Sequence, residues 1–384
     1  MGFISRTWRP LACSFLAVLV VVVCGSPGAR AQATAQSSAA STPEFAPAIW
    51  RFAVSGDSRN CGHVVMPAIA EGARKSGAEF YWHLGDFRKI YDFDEDMQHE
   101  PEHRGKPMSI IDYENAAWND FIKYQLAPFG AMPVFLGIGN HETIPPKTRE
   151  EYIAQFGDWL ASPSLQRQRQ IDDPADRRLR TYFHWVERGV SFIYLDNATS
   201  DQFDGAQVNW FEKVLAKDVQ DSSVTDVVVG MHQALPDSLA ADHSMSASPA
   251  GEVSGRRVYQ DLLKAQGEGR KRVFVLASHS HFYMDGVYNS DYWRSHGGVL
   301  PGWIIGTAGA VRYPLPADAH QARAAKTNVY GFLLATVNPG RGNEGGIRFD
   351  FVELQESDVP PTVVNRFTPE FVHWCFTQNR EGAH

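Results

Sequence analysis

An α/β fold is predicted by two observations. From Ile49 onward, short apolar runs of strand character alternate with longer amphipathic stretches of helical period, as when strands are covered by helices. Five of those runs also end in Asp, Asn or His, at the strand edge where open α/β sheets bind ligands. The strand-like runs are Trp50–Ser55, Glu79–Leu84, Pro133–Ile138, Tyr182–Val186, Val190–Leu195, Thr225–Gly230, Arg272–Ala277, Trp303–Ile305, Tyr330–Val337 and Ile347–Leu354. The helical stretches are Val64–Ser76, Tyr113–Leu126, Arg149–Leu160, Ala206–Lys217 and Gly255–Gln266. The strand-rich tail predicts antiparallel edges. No internal repeat and no second low-complexity linker interrupts the pattern, so residues 48–384 are read as one domain.

The segment before it has a different character. Arg6 and Arg9 precede an apolar run, Leu11 to Cys24, and Ala29-Arg30-Ala31 follows it. A basic start, an apolar stretch and an A-x-A site read as a secretory signal peptide, residues 1–31, cut before Gln32. The run is short of the about 20 residues that span a bilayer, so no stable membrane anchor is expected. Residues 32–47, rich in Ala, Ser, Thr and Gln, read as a flexible leader. Export to a periplasm or the outside is therefore expected. Losing the three arginines of residues 1–31 takes the net charge from −8 to −11, and no Lys/Arg-rich run remains, so nucleic acid is not an expected partner. Cys61 and Cys375 are the two cysteines left after cleavage; they either pair or stay free, and sequence separation does not decide between these.

Two segments read as insertions. Arg88–Pro107 is crowded with charge; its Asp92-x-Asp94-x-Asp96 lacks the glycine on which a calcium loop turns and reads as a solvated acidic loop. Pro236–Ser254 is rich in Ser, Ala, Asp and Gly, a composition suited to a lid or a substrate-binding element.

The chemistry is concentrated at the strand ends. Phe52-Ala53-Val54-Ser55 runs into Gly56-Asp57, and Phe80-Tyr81-Trp82-His83-Leu84 into Gly85-Asp86. Val134-Phe135-Leu136 leads to Gly139-Asn140-His141-Glu142, Val227-Val228-Val229 to Met231-His232, and Val273-Phe274-Val275-Leu276 to His279-Ser280-His281. Each motif alone is weak; a lone Gly-Asp is common, and a single strand-end His is more often structural. Five in order at one edge offer Asp57, Asp86, Asn140, His232, His279 and His281. This mixture of O and N donors without thiolate suits Mn, Zn or Fe. Two such ions roughly 3.5–4 Å apart, sharing a carboxylate, can hold a hydroxide for in-line attack.

In these motifs the chain resembles the calcineurin-like metallophosphoesterases, over about residues 50–310. The resemblance implies a β-sandwich flanked by helices, in four layers α/β/β/α, with two metal ions at one edge. It implies that Asp57, Asp86 and His281 bind the first ion, that Asp86 bridges, and that Asn140, His232 and His279 complete the second. It also implies that His141 protonates the leaving oxygen or stabilises the transition state. Two departures stand out. Many members carry Asp-x-His at the first motif, with His as a ligand; here the sequence is Asp57-Ser58-Arg59, and arginine has no lone pair to give. Its planar fork suits a phosphate oxygen, which makes Arg59 the candidate substrate clamp, the alternative being a pair with a nearby acid. The purple acid phosphatases place a Tyr three residues after the second Asp, where this chain has Lys89; Tyr91 and His63 are weaker candidates for the missing ligand.

The resemblance thus implies a hydrolase of phosphate monoesters or diesters with a small-molecule substrate. The alternative is an exported, non-catalytic binding protein on the same scaffold with a degenerate first metal site. Arg312 and Tyr313, after Gly306-Thr307-Ala308-Gly309-Ala310, read more readily as a tight turn than as substrate contacts. His83 reads as a core histidine, and His99, His103, His243 and His320 as loop residues without a role.

Overall fold

A computed structural model describes residues 48–199, 202–240, 243–338 and 346–382. The signal peptide and leader of the sequence analysis lie outside the described residues. Residues from Ala46 on form one unit, and among the described residues no helix is long and apolar enough to cross a membrane.

Twelve strands are described: β1 Trp50–Ser55, β2 Ala78–His83, β3 Val134–Leu136, β4 Phe183–Glu187, β5 Val190–Leu195, β6 Asp226–Met231, β7 Arg272–Ala277, β8 Tyr283–Asp285, β9 Gly302–Ile305, β10 Ala324–Lys326, β11 Tyr330–Val337 and β12 Ile347–Leu354. They form two sheets, ordered β12-β11-β1-β2-β3 and β10-β8-β9-β7-β6-β5-β4. The motif-bearing strands pair in parallel within each sheet, β1–β2–β3 and β5–β6–β7–β9, so their C-terminal ends share an edge. The antiparallel tail expected from the sequence is β11 on β1 and β12 on β11.

Period-two alternation explains the sandwich. Trp50, Phe52 and Val54 of β1 and Phe80 and Trp82 of β2 share one core with Trp185, Phe192, Tyr194, Val228 and Leu276 of the second sheet. The intervening residues face outward: Ala53 and Tyr81 pack with the helix Gly62–Lys75, and Ile193, Val227, Val229 and Val275 with the helices Gly205–Gln220 and Pro249–Gly267. Each sheet thus carries helices on its outer face, giving the four layers α/β/β/α. Rings lock the two inner faces edge to face, Phe52 against Phe192 at 5.1 Å and Trp82 against Trp185 at 5.2 Å. Such pairs contribute about 0.5–1.5 kcal/mol beyond the area they bury.

Helix ends follow local chemistry. Asp204 and Ser248 cap the helices Gly205–Gln220 and Pro249–Gly267 by accepting from Gln207 N–H and Gly251 N–H. The last six residues of the Pro236–Ser254 insertion, from Pro249 on, are helical.

One expectation is corrected. Arg88–Pro107 is not a solvated acidic loop, because Asp94 and Asp96 are fully buried. Buried carboxylates need compensation, and here Arg88 reaches Asp96 at 2.7 Å and Asp120 at 2.6 Å. Asp94 accepts from Asn60 N–H and Tyr113 O–H, and Asp96 from His63 N–H. The insertion therefore clamps the backbone just after the first motif. His63, bound to Glu100 and Asp120 at 2.7 Å each, belongs to this network and not to the metal-ligand group.

Cys61 and Cys375 form a disulfide across 314 residues, settling the choice between pairing and free thiols. Closing so long a loop restricts the unfolded chain, so Cys61→Ser with Cys375→Ser is expected to cost about 2–4 kcal/mol. Denaturant melts of the oxidised protein and the double variant measure it; coincident melts would count against it.

Candidate metal centre

Asp57, Asp86 and His279 follow their strands in left-handed backbone, with φ of 62°, 61° and 66°. Such residues cost about 1–3 kcal/mol each and persist where the surroundings over-determine them. The constraints here are specific. Asp57 N–H donates to Gly85 O and Ser58 N–H to Asp86 O, both at 2.9 Å, while Asp57 Oδ2 accepts from His279 N–H at 2.8 Å. The last bond ties the end of β1 to the end of β7 in the other sheet. Gly85 and Gly139 meet where only hydrogen fits: a Cβ on Gly139 would lie 2.3 Å from Asp86 Oδ1.

Glu142 is the positioning residue that sequence reasoning quoted without a role. Its buried carboxylate accepts from Asp86 N–H, Phe87 N–H and Gly139 N–H at 2.7–2.8 Å, fastening the β2 and β3 loops together. Burial and the charge on Asp86 raise its pKa to about 7 against these bonds. Its place in Gly-Asn-His-Glu was the available signal.

Four donor atoms converge beside it. His232 Nε2 lies 2.9 Å from Asn140 Oδ1, 3.2 Å from Asp86 Oδ1 and 3.1 Å from His279 Nδ1. His232 Nδ1 is 3.1 Å from Leu84 O, to which only an N–H can bond, so Nε2 of the neutral ring turns its lone pair towards the other three. A cation at the centre satisfies all four. Without one, a proton takes its place: burial opposes charge on His232, but Asp86, Asp57 and Glu142 together outweigh it and hold the imidazole at about 9. The donor set thus fits one metal ion.

The second group is Asp57, Asp86 and His281, whose ligand atoms lie within 4.8 Å of one another. Asp57 Oδ1 and Asp86 Oδ2 are buried; His281 Nε2 stands 3.2 Å from the first and His141 Nε2 3.6 Å from the second. The positive group facing them is Arg59. Its Nη2 donates to His281 Nε2 at 2.7 Å, its Nη1 contacts His141 Nε2, and its Nε lies 3.6 Å from Asp86 Oδ2. Arg59 is only 8% exposed, so it is built into the centre rather than reaching out from it. His141 donates Nδ1–H to Lys89 O, and burial with the Arg59 charge lowers its pKa to about 4.

Other candidates separate. Tyr91 is exposed and packs on the His141 ring at 5.4 Å, away from the ligand groups. His83 is a core histidine, pushed down to about 3 by burial. Arg312 is buried and donates to Phe376 O, Asn328 O and Cys375 O, a structural clamp on the end of the helix Pro369–Thr377. Its neighbour Tyr313 stacks on His281 at 4.0 Å, a contact that the tight-turn reading missed. His243, read as a loop residue without a role, stands 5.6 Å from His279 and 5.2 Å from Tyr313. The lid-like composition of its insertion was the only sequence signal for it.

No protein-family model matches the sequence, and no curated protein does. Among solved structures, the purple acid phosphatase PPD1 from yellow lupin (Lupinus luteus) seeds matches with TM-score 0.52 at 16% identity, over 80% of this chain. The match spans 52% of that enzyme, so this chain corresponds to about half its length. Weaker matches are GAP50, the anchor in the inner membrane complex of Plasmodium (TM-score 0.46, 11% identity, 86% of this chain and 96% of that one), and a dimetal phosphatase from Danio rerio (0.45, 14%, 78% and 98%). The lupin enzyme shares this chain's fold, the metallophosphoesterase sandwich.

Because Glu142 satisfies three buried N–H groups, Glu142→Ala is expected to lower unfolding free energy by about 3 kcal/mol or more. Urea titration checks this; a loss below about 1 kcal/mol would mean that water replaces the carboxylate.

Proposed function

We infer that this chain, with the metallophosphoesterase fold, is a calcineurin-like metallophosphoesterase: a metal-dependent hydrolase of phosphate esters. The observation that carries the reading is the convergence of Asp86, Asn140, His232 and His279 on one point, with the His232 Nε2 lone pair facing the other three. A bound Mn, Zn or Fe ion there would bring a water to hydroxide near neutral pH and offset charge on a phosphoryl oxygen. The protein side of the chemistry follows from its own residues. His141, beside Asp86 and Arg59, is the group that would hold a proton for the leaving oxygen once a bound phosphate draws Arg59 Nη1 off its Nε2. A phosphate anion next to it favours the protonated imidazole and opposes the depression caused by burial and Arg59. Arg59 supplies fixed positive charge at the same place. A centre with two ions and a bridging hydroxide would require the Asp57–Asp86–His281 group to be free of Arg59.

The substrate is a small phosphate ester, monoester or diester. Export fits the disulfide, since such bonds persist in oxidising compartments, and the basic start, apolar run and A-x-A site of residues 1–31 support the same reading. The position of Arg59 also favours a second reading, a binding protein that holds an anion without turnover.

Turnover separates the two. Protein loaded with Mn or Zn is expected to hydrolyse phosphate esters, and Asp86→Ala and Asn140→Ala are each expected to lose metal and activity together. His141→Ala is expected to keep its metal and lose about two to four orders of magnitude in rate on an alkyl ester, less on a nitrophenyl ester whose leaving group needs no proton. No turnover by loaded wild-type protein on either ester class would leave the binding reading.

A further inference from the structure

We propose that the Arg59 guanidinium is a built-in cation standing in the first metal position, so that the centre binds a single metal ion, at Asp86, Asn140, His232 and His279. The inference rests on the metal-binding reading above and restricts it to one ion.

The argument is one of lone pairs. His281 places Nδ1 2.6 Å from Val311 O and His141 places Nδ1 2.6 Å from Lys89 O. A carbonyl only accepts, so each Nδ1 carries the hydrogen, and each neutral ring has one lone pair left, on Nε2. Arg59 takes both: Nη2 donates to His281 Nε2 at 2.7 Å and Nη1 to His141 Nε2. The lone pair by which His281 would ligate a first ion is the one already bonded to a guanidinium. Arginine stays protonated and offers donors only, so it cannot join a coordination sphere and must leave for an ion to enter.

The backbone that carries Arg59 is fixed and its side chain is covered. Arg59 O accepts from Cys61 N–H at 2.8 Å, and Cys61 is covalently bound to Cys375. Asn60 N–H donates to the buried Asp94 at 2.7 Å. Tyr313 covers His281, and hardly any of Arg59 meets solvent. Charge points the same way. Asp57 and Asp86 carry two negative charges, and Arg59 with one divalent ion at the four-donor point already brings three positive ones. A second divalent ion would add to that excess in a closed site. Arg59 offers no coordination position to water, so activation of a nucleophile is left to the four-donor point.

The test counts ions rather than turnover. Protein stripped with chelator is reloaded with Mn(II), freed of excess by gel filtration and measured by mass spectrometry, with electron paramagnetic resonance of the same samples. Wild type is expected to hold one Mn per chain with the signal of an isolated ion. Arg59→His, which supplies a lone pair where the guanidinium stood, is expected to hold two with a spin-coupled signal, and Arg59→Ala a second ion more weakly. Two coupled ions in wild type would overturn the inference and leave the four-donor site standing. No ion in wild type would overturn both the inference and the metal-binding reading. One ion in wild type and in both variants would show that Arg59 is not what excludes the second, and would also overturn it.

Discussion

Asp57 and Asp86 are held without solvent at the meeting edge of two sheets, and a buried, uncompensated carboxylate is among the most costly things a fold can contain. Much of the local architecture answers that problem. Burial alone would raise the Asp86 pKa, yet His141, His232 and Arg59 together hold it well below the usual carboxylate range. Asp57 is held down in the same way by His281 and His232. The left-handed turns, the bare glycines at positions 85 and 139 and the Glu142 clamp all place negative oxygens closer together than solvent would allow. Such an arrangement is stable only with positive charge at its centre, and this makes it a cation trap before it is anything else.

The layers of the fold were legible from the sequence because period-two alternation and apolar runs are local. The edge was legible because each ligand-type residue sits immediately after its strand, so parallel pairing alone gathers them. Short β8 and β10 were not seen; three residues carry no usable period, and their existence depends on β9 and on each other. The burial of Asp94 and Asp96 was not legible either, since Arg88, Tyr113 and the backbone of Asn60 and His63 reach them only in three dimensions. Arg59 is the instructive case. Its residue type announced a departure from the Asp-x-His pattern, but its contacts with His141 and His281 were not legible, since three distant loops bring those rings to it. Tyr313 and His243 escaped for the same reason, because ring packing across distant loops leaves no mark on spacing.

The two insertions divide the surroundings of the centre. Arg88–Pro107 works beneath it, through a buried ionic network that fixes the segment following the first motif. Pro236–Ser254 works above it, bringing His243 against His279 and Tyr313. One sets where Arg59 stands and the other shapes what can approach. The same sandwich core can therefore hold different edge chemistry by changing loops while its strands stay as they are.

The Cys61–Cys375 bond joins the segment carrying Arg59 to a helix near the far end of the chain. On a ribosome, the cysteine that follows the first motif is made 314 residues before its covalent tether. Until Pro369–Thr377 has emerged, Cys61 lacks its disulfide partner, and Arg312 has no helix-end carbonyls to grip. The loop that carries Arg59 therefore gains its covalent anchorage only after the twelve described strands have been made. A stop before Pro369 would leave every motif residue in the chain and still remove the covalent tether of the loop that follows Asp57.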